Sequence, residues 1–348
     1  MTFLSFKNTS FVVALTTCIL AAPPAQAADD AKKPVDWNTA VKTLNALTPG
    51  QAAEWAALKN PPTESSIDGG WATLDAVTNL TPETAELLVK AERPLSLNGL
   101  TELSPELATA LAKHAPVKGF GSADLRLNGI KLLTPEAAGA LAAHEGKVLL
   151  YGLERIESLP LARKLARQWG ELRLGLIELS PEIAGELAKH RGNEEDKTRP
   201  GVTVRRQDGG ASILRLDNIE SLSPAAAEAL AAHEGVLVLN GLTALPPAVA
   251  GSLAKRTGNS KTKRTGTLVL NGLPSLSTEA AEALAAFPGE LVLKAVTTLT
   301  PETATALSRH KGRLHLTGLT ELSPSVQAAL NAHPNLLLPR PTGLSADR

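Results

Sequence analysis

The chain has 348 residues, among them 59 leucines and 54 alanines, and only 3% are aromatic. Lys plus Arg and Asp plus Glu number 35 each, so no global field favours nucleic acid or an anionic membrane surface. With 43% hydrophobic and 20% charged residues, a disordered polar chain is excluded and any core must be mainly aliphatic.

The first 27 residues read as an export signal. Lys7 precedes an apolar stretch from Phe11 to Ala22, and Ala25-Gln26-Ala27 supplies the small residues that a signal peptidase reads. The apolar run falls short of the roughly 20 residues needed to span a bilayer, so no transmembrane span is expected in the mature chain. Cys18 is the one cysteine, and cleavage removes it. Thiol catalysis, disulfides and cysteine-type zinc sites are thereby excluded, although the expected location is periplasmic, secreted or cell-surface. Residues 28–36 read as a linker.

From residue 37 to 339 one phrase of 23 residues returns. It is clearest at Leu95, Leu125, Leu237, Leu268, Leu291 and Leu314, and weaker near Thr39, Ala72, Val148, Leu172 and Leu214, with a truncated copy near Leu337. The phrase opens Leu-x-Leu, whose period of two puts both leucines on one face of a short strand. A glycine such as Gly99, Gly129 or Gly241 then bends the chain away. Ser104-Pro105-Glu106 and its equivalents Thr81-Pro82-Glu83, Thr134-Pro135-Glu136, Ser180-Pro181-Glu182 and Thr300-Pro301-Glu302 each start a helix. The hydroxyl caps it, the proline opens it and the carboxylate meets the positive end of its dipole. An alanine-rich helix follows and ends near glycines such as Gly146, Gly192, Gly235 and Gly312.

A single rung offers about five large aliphatic side chains, roughly 8–15 kcal/mol of burial, against at least about 23 kcal/mol of backbone entropy. It can persist only as part of a stack. The expected fold is therefore an α/β solenoid of about eleven rungs, with a parallel strand ladder on one side and short parallel helices on the other. Insertions at 59–71, 115–123, 193–212 and 257–267 leave one edge, and residues 340–348 form a tail. The longest insertion contains Val202-Thr203-Val204 and Asp208-Gly209, which predict a small hairpin.

The strand phrase, the 23-residue period and the strand-plus-helix unit resemble the leucine-rich repeat family, especially exported bacterial members with alanine-rich helices. That resemblance implies a solenoid used to bind macromolecules, usually proteins, and implies no chemistry. The family's inward asparagine of the strand-to-loop turn falls here on Leu100, Ile130, Leu153, Ile219, Leu242, Leu273, Val296 and Leu319. An aliphatic row is expected where the family has a buried asparagine ladder.

Function should reside between the packing positions. The outward strand residues Arg126, Tyr151, Arg173 and Arg215 are expected to cluster mid-stack, beside an aliphatic strip that includes Val238 and Val269. Arginine and tyrosine beside apolar surface is the composition of binding hot spots. The bland alternative is a salt-laced face in which Asp124, Glu171 and Asp217 neutralise the arginines. A second candidate is the basic loop with Lys261, Lys263 and Arg264, which would suit an acidic protein or acidic polysaccharide.

His114, His144, His190, His233, His310 and His333 share one slot, nine residues after the helix-start proline, and Arg167, Arg256 and Phe287 stand in about the same slot of other rungs. This row could be a divalent-metal or pH-responsive array. Since arginine and phenylalanine are not ligands, a structural role at helix ends is the stronger reading. No serine nucleophile elbow, phosphate-binding glycine loop or His-Glu-x-x-His motif occurs, so no enzyme, cofactor or metal is expected. A site hidden within 193–212 is the enzymatic alternative. The reading is a non-enzymatic exported repeat protein that binds a protein partner or acts as a cell-envelope scaffold.

Overall fold

The computed structural model describes residues 35–59, 61–64, 71–91, 93–115, 123–192, 212–256 and 266–339. The expected signal at 1–27, the hairpin in the long insertion, the basic loop with Lys261, Lys263 and Arg264, and the tail lie outside the described residues.

The described residues from 37 to 339 belong to one compact unit. Its described part contains twelve strands: β1 (Thr63–Glu64), β2 (Trp71–Thr73), β3 (Leu95–Ser96), β4 (Leu125–Arg126), β5 (Val148–Leu149), β6 (Leu172–Arg173), β7 (Ile213–Arg215), β8 (Val236–Val238), β9 (Thr267–Val269), β10 (Glu290–Val292), β11 (Leu314–His315) and β12 (Leu336–Leu337). They form a five-stranded sheet, β1 to β5, and a seven-stranded sheet, β6 to β12, each in chain order. Every described pairing is parallel except β1 with β2. Eleven strands therefore carry the repeat.

The register is the one the sequence period dictates. Ala72 pairs with Leu95, Leu95 with Leu125 and Leu125 with Val148. In the second sheet the line runs from Leu172 through Leu214, Leu237, Leu268, Leu291 and Leu314 to Leu336. From Ala72 to Leu314 no residue of this line is more than 4% exposed. A slip of one residue would turn every leucine outward, so burial of one face fixes the pairing. Two ends differ from expectation. Thr39 lies within the helix Trp37–Thr43 rather than starting a strand, and the last rung begins at Leu336, one residue before the predicted Leu337.

Each strand from β2 to β11 leads to a helix, and most of these helices carry a hydroxyl cap. The hydroxyls of Thr81, Ser104, Thr134, Ser180, Ser223, Ser277, Thr300 and Ser323 accept the backbone N–H three residues on, at 3.1–3.3 Å. Pro246 caps the helix Pro247–Ala254 without such a bond. The carboxyls of Glu106, Glu182 and Glu302 are held below the usual range, chiefly by their own backbone N–H groups and then by the capping hydroxyl. They serve as dipole partners. The fourth and seventh positions of the helices face inward: Ala108 with Leu111, Ala227 with Leu230 and Ala281 with Leu284 are each 0% exposed. Small alanines where helices of neighbouring rungs touch let their backbones approach closely.

A polar ladder runs along the strand ends, although at other positions than the family resemblance implies. The aliphatic row is present, with Leu100, Ile130, Leu153, Ile219, Leu242, Leu273, Val296 and Leu319 all buried. Two residues earlier, the Asp75 carboxylate accepts the Asn98 N–H at 2.8 Å, the Asn98 side chain accepts the Asn128 N–H at 3.0 Å, and the Asn128 side chain accepts the Tyr151 N–H at 3.0 Å. Asn240, Asn271 and Lys294 repeat the pattern in the second sheet. Asn128, Asn240 and Asn271 thus satisfy the backbone of the next rung. The glycine after each asparagine is a packing requirement, because a Cβ on Gly129 would collide with the Asn98 carbonyl oxygen.

The six histidines at the helix ends are all buried, none more than 5% exposed. The Nδ1 of His114 lies 3.1 Å from the Val89 carbonyl and its Nε2 3.0 Å from that of Arg93, so the ring ties its rung to the one before. His190 does the same with Ala166 and Gly170, at 3.1 and 2.9 Å. Rings of neighbouring rungs stack 6.2 Å apart for His114 with His144 and 5.8 Å apart for His310 with His333. Burial holds His144 down to about 4 and His233 to about 3, outweighing the carbonyls that favour the charged ring. Where the sequence suggested Arg167 for this slot, the structure puts the buried Gln168 there and leaves Arg167 exposed.

Candidate ligand-binding face

The two sheets part between β5 and β6. Val148 and Leu172 are 24 residues apart, where the neighbouring pair Leu125 and Val148 has the regular 23. The extra residue is taken up before β6, where Gly170 adopts φ 86° and its N–H donates to the Gly192 carbonyl at 3.0 Å. Only glycine enters this left-handed region at little cost. The Gln168 amide meanwhile donates to the Val148 carbonyl at 3.2 Å. The asparagine ladder lapses at the same place, because the next residue in line, Tyr151, has no side-chain amide to pass on.

Against this discontinuity the outward face carries a cleft of about 320 Å³, lined from β2 to β6. Leu149 forms part of its apolar floor, and three cation–aromatic pairs stand around it. The Arg126 guanidinium lies 4.3 Å from the centre of the Trp71 ring. It reaches there past the short Ser96 of the intervening rung, whose hydroxyl donates to Asp75 at 2.7 Å. The Lys147 ammonium is 3.9 Å above the Trp169 ring, and the Arg173 guanidinium 5.7 Å from that of Tyr151. Such contacts restrict long side chains that would otherwise be mobile.

The carboxylates of the cleft are engaged. Asp124 accepts the backbone N–H of Lys147 at 2.8 Å. Glu171 accepts from the Arg215 Nε at 2.6 Å, which with Asp217 raises the Arg215 pKa further.

Of the residues singled out from sequence, Arg126 and Tyr151 line this cleft, and Arg173 stands beside it with its guanidinium near the Tyr151 ring. Arg215 stands apart as the centre of an ion-pair group with Glu171 and Asp217, the latter at 3.4 Å, which is the salt-laced alternative realised locally. Val238 corrects an expectation: only 3% exposed, it is covered between its register neighbours Arg215 and Val269 and has almost no surface to offer. Val269 is half-buried. Trp71, Lys147 and Trp169 were not selected from the sequence as binding residues. The available signal was that two of only four tryptophans stand at strand entrances, one of them beside the lone 24-residue step.

Farther along, Glu290 gathers its own partners: His315 Nε2 at 2.6 Å, Thr267 Oγ1 at 3.1 Å and Arg313 at 3.7 Å. Among the described residues no group of three or more His, Cys, Asp or Glu is placed to hold a metal ion, and no helix is long and apolar enough to cross a membrane. The rings of His114, His144 and His190 direct both nitrogens at backbone carbonyls, and His333 Nδ1 accepts the Asn335 N–H.

No protein-family model matches the chain, and no curated protein matches it in sequence. The fold is a leucine-rich-repeat-like solenoid. Among solved structures it is similar to a leucine-rich-repeat protein of Leptospira interrogans, with 16% identity over 85% of this chain and 81% of that one and a TM-score of 0.36. It is also similar to an internalin of Listeria monocytogenes, with 14% identity over 76% of this chain and 74% of that one and a TM-score of 0.33. The fold rests on the register of the strand ladder rather than on these likenesses.

Proposed function

We propose that this is an exported, non-enzymatic repeat protein that binds a protein partner across the outward face of β2 to β6 and serves as a binding or scaffold module of the cell envelope. The observation that carries the reading is the cleft with its three cation–aromatic pairs on a rigid strand ladder. Tryptophan, tyrosine and arginine around a partly apolar floor are the residues that dominate binding energy at interfaces. Their fixed positions reduce the ordering cost of association. Export is supported by the charged, apolar and small-residue segments of the first 27 residues.

A photo-crosslinking amino acid placed at Leu149, on the face, and separately at Glu282, on the exposed side of the helix Thr278–Ala285, tests this in the native cell envelope. Protein adducts should form from Leu149 and not from Glu282. Equal adducts from both positions, or none from Leu149, would contradict it.

A further inference from the structure

We infer that the junction between β5 and β6 is a two-state switch, parted while the Gln168 amide holds the Val148 carbonyl and joined when the Arg173 N–H takes that carbonyl in its place. In a parallel pair the ladder bonds are evenly spaced, and alternate residues of one strand bond both ways to the next. Leu125 and Leu127 follow this pattern, donating to the Lys147 and Leu149 carbonyls at 2.8 and 2.9 Å. Carried on by one rung, it would have Val148 and Leu150 donate to the Glu171 and Arg173 carbonyls, and the Val148 carbonyl accept from Arg173. Yet β5 and β6 are not paired, and Val148 and Leu150 make no such bond. Both residues are only 1% exposed, and buried N–H groups seldom go without a partner. The Val148 carbonyl is taken instead by the Gln168 amide at 3.2 Å.

Gln168 fills the slot that six other rungs give to histidine. His114 and His190 point Nε2 at the carbonyls of Arg93 and Gly170, each two residues ahead of its strand, which leaves the strand's own carbonyls to its neighbour. Gln168 reaches further, to a carbonyl of the strand itself. The parting is confined to the strands. On the turn side the Ile177 N–H donates to the Glu154 carbonyl at 3.0 Å, and at the helix ends His190 Nδ1 lies 3.1 Å from the Ala166 carbonyl. Across the outward face Lys147 stands over Trp169 and Arg173 near Tyr151. The two strands are thus held side by side without their ladder bonds, and passing one carbonyl from Gln168 to Arg173 begins to join them. The cleft spans the junction, with Leu149 and Tyr151 on one side and Trp169 and Glu171 on the other. Joining would draw these walls together, so the junction would set how far the cleft opens. Its two states do not depend on what the cleft binds.

Amide hydrogen exchange of the full chain, read residue by residue by NMR, tests the switch. In the unmodified protein the Leu150 N–H should exchange at least about a hundredfold faster than the Leu127 N–H. Gln168→Met and Gln168→Leu, which keep the bulk and lose the donor, should each slow Leu150 at least about tenfold and leave Leu127 within about twofold. Equal protection of Leu150 and Leu127 in the unmodified protein, or no slowing of Leu150 in the variants, would overturn the inference. Cross-linking from Leu149 in the native envelope should fall at least about fivefold in the same variants. Slowed exchange with undiminished cross-linking would overturn the control of the cleft while leaving the switch. Absence of Leu149 cross-links in the unmodified protein overturns the docking face itself, and the exchange rates still decide the switch.

Discussion

The sheets β1 to β5 and β6 to β12 are built from one repeat, with the same inward leucines, caps and strand-end asparagines, yet their outward faces differ. On the first, cations lie over aromatic rings around a cleft. On the second, outward residues satisfy each other, Arg215 with Glu171 and Asp217, and Glu290 with His315, Thr267 and Arg313, and an aliphatic row from Val238 to Val269 fills the gap between them. Strand spacing is set by the backbone, so the outward residues are free to become either a closed salt-laced surface or an open one. The irregular step between Val148 and Leu172 lies within the cleft, whose lining continues past it to Trp169, Gly170 and Glu171 at the edge of the second sheet.

The largest expected effect bears on what the two sheets share. Buried histidines with lowered pKa values bind fewer protons folded than unfolded, so their neutral form supports the fold above pH ~6.5. That contribution is lost as pH falls toward about 4 for His144 and about 3 for His233. For His144 alone the loss is on the order of 3 kcal/mol. Of the five histidines whose pKa values burial lowers, three, His233, His310 and His333, follow the break, so hydrogen exchange at pH 4.5 should show β6 to β12 losing protection before β2 to β5. Equal core packing should appear next: Leu127→Ala and Leu239→Ala, both 0% exposed, should each cost about 3 kcal/mol in urea unfolding. A large inequality would break the view of one repeat used twice.

Arg256 is a smaller and asymmetric case. It occupies the histidine slot at 1% exposure, donates Nη2 to the Gly235 carbonyl at 2.7 Å, and its Nε and Nη1 have no hydrogen-bond partner among the described residues. Burial lowers its pKa to about 10. Arg256→His, the residue of six other rungs, should therefore raise stability by about 1–2 kcal/mol. The smallest effects lie on the outward faces. Arg215→Ala, which removes a partly buried ion-pair centre, should cost about 1 kcal/mol, and Arg173→Ala should stay within about 0.5 kcal/mol, both read from thermal unfolding.

Most of the fold was legible because it repeats. One rung is ambiguous, but Leu125, Val148, Leu237, Leu268, Leu291 and Leu314 recurring at one position, three of them ahead of a Ser/Thr-Pro cap, leaves one register that buries them all. The asparagine ladder was less legible. Asn98 and Asn128 alternate as outward residues should, and only the approach of the next rung shows their side-chain oxygens capping its N–H groups. At the cleft, Arg126, Tyr151 and Arg173 followed from counting outward positions. Trp71 and Trp169 did not, because they belong to entering segments whose direction depends on β1 and on Gly170. The burial of Val238 was hidden for a related reason: alternation gives the side a residue faces but not the length of its neighbours.

The most direct measurement is the affinity of the partner cross-linked through Leu149 for two double variants with unchanged melting temperatures. Replacing Arg126 by Met and Tyr151 by Ala should weaken binding about a hundredfold, as expected when two anchors are removed. Replacing Thr267 by Ala and Val269 by Thr, on the second sheet, should leave it within about twofold. Loss of binding in the second variant with retention in the first would contradict the assignment of function to the face of β2 to β6.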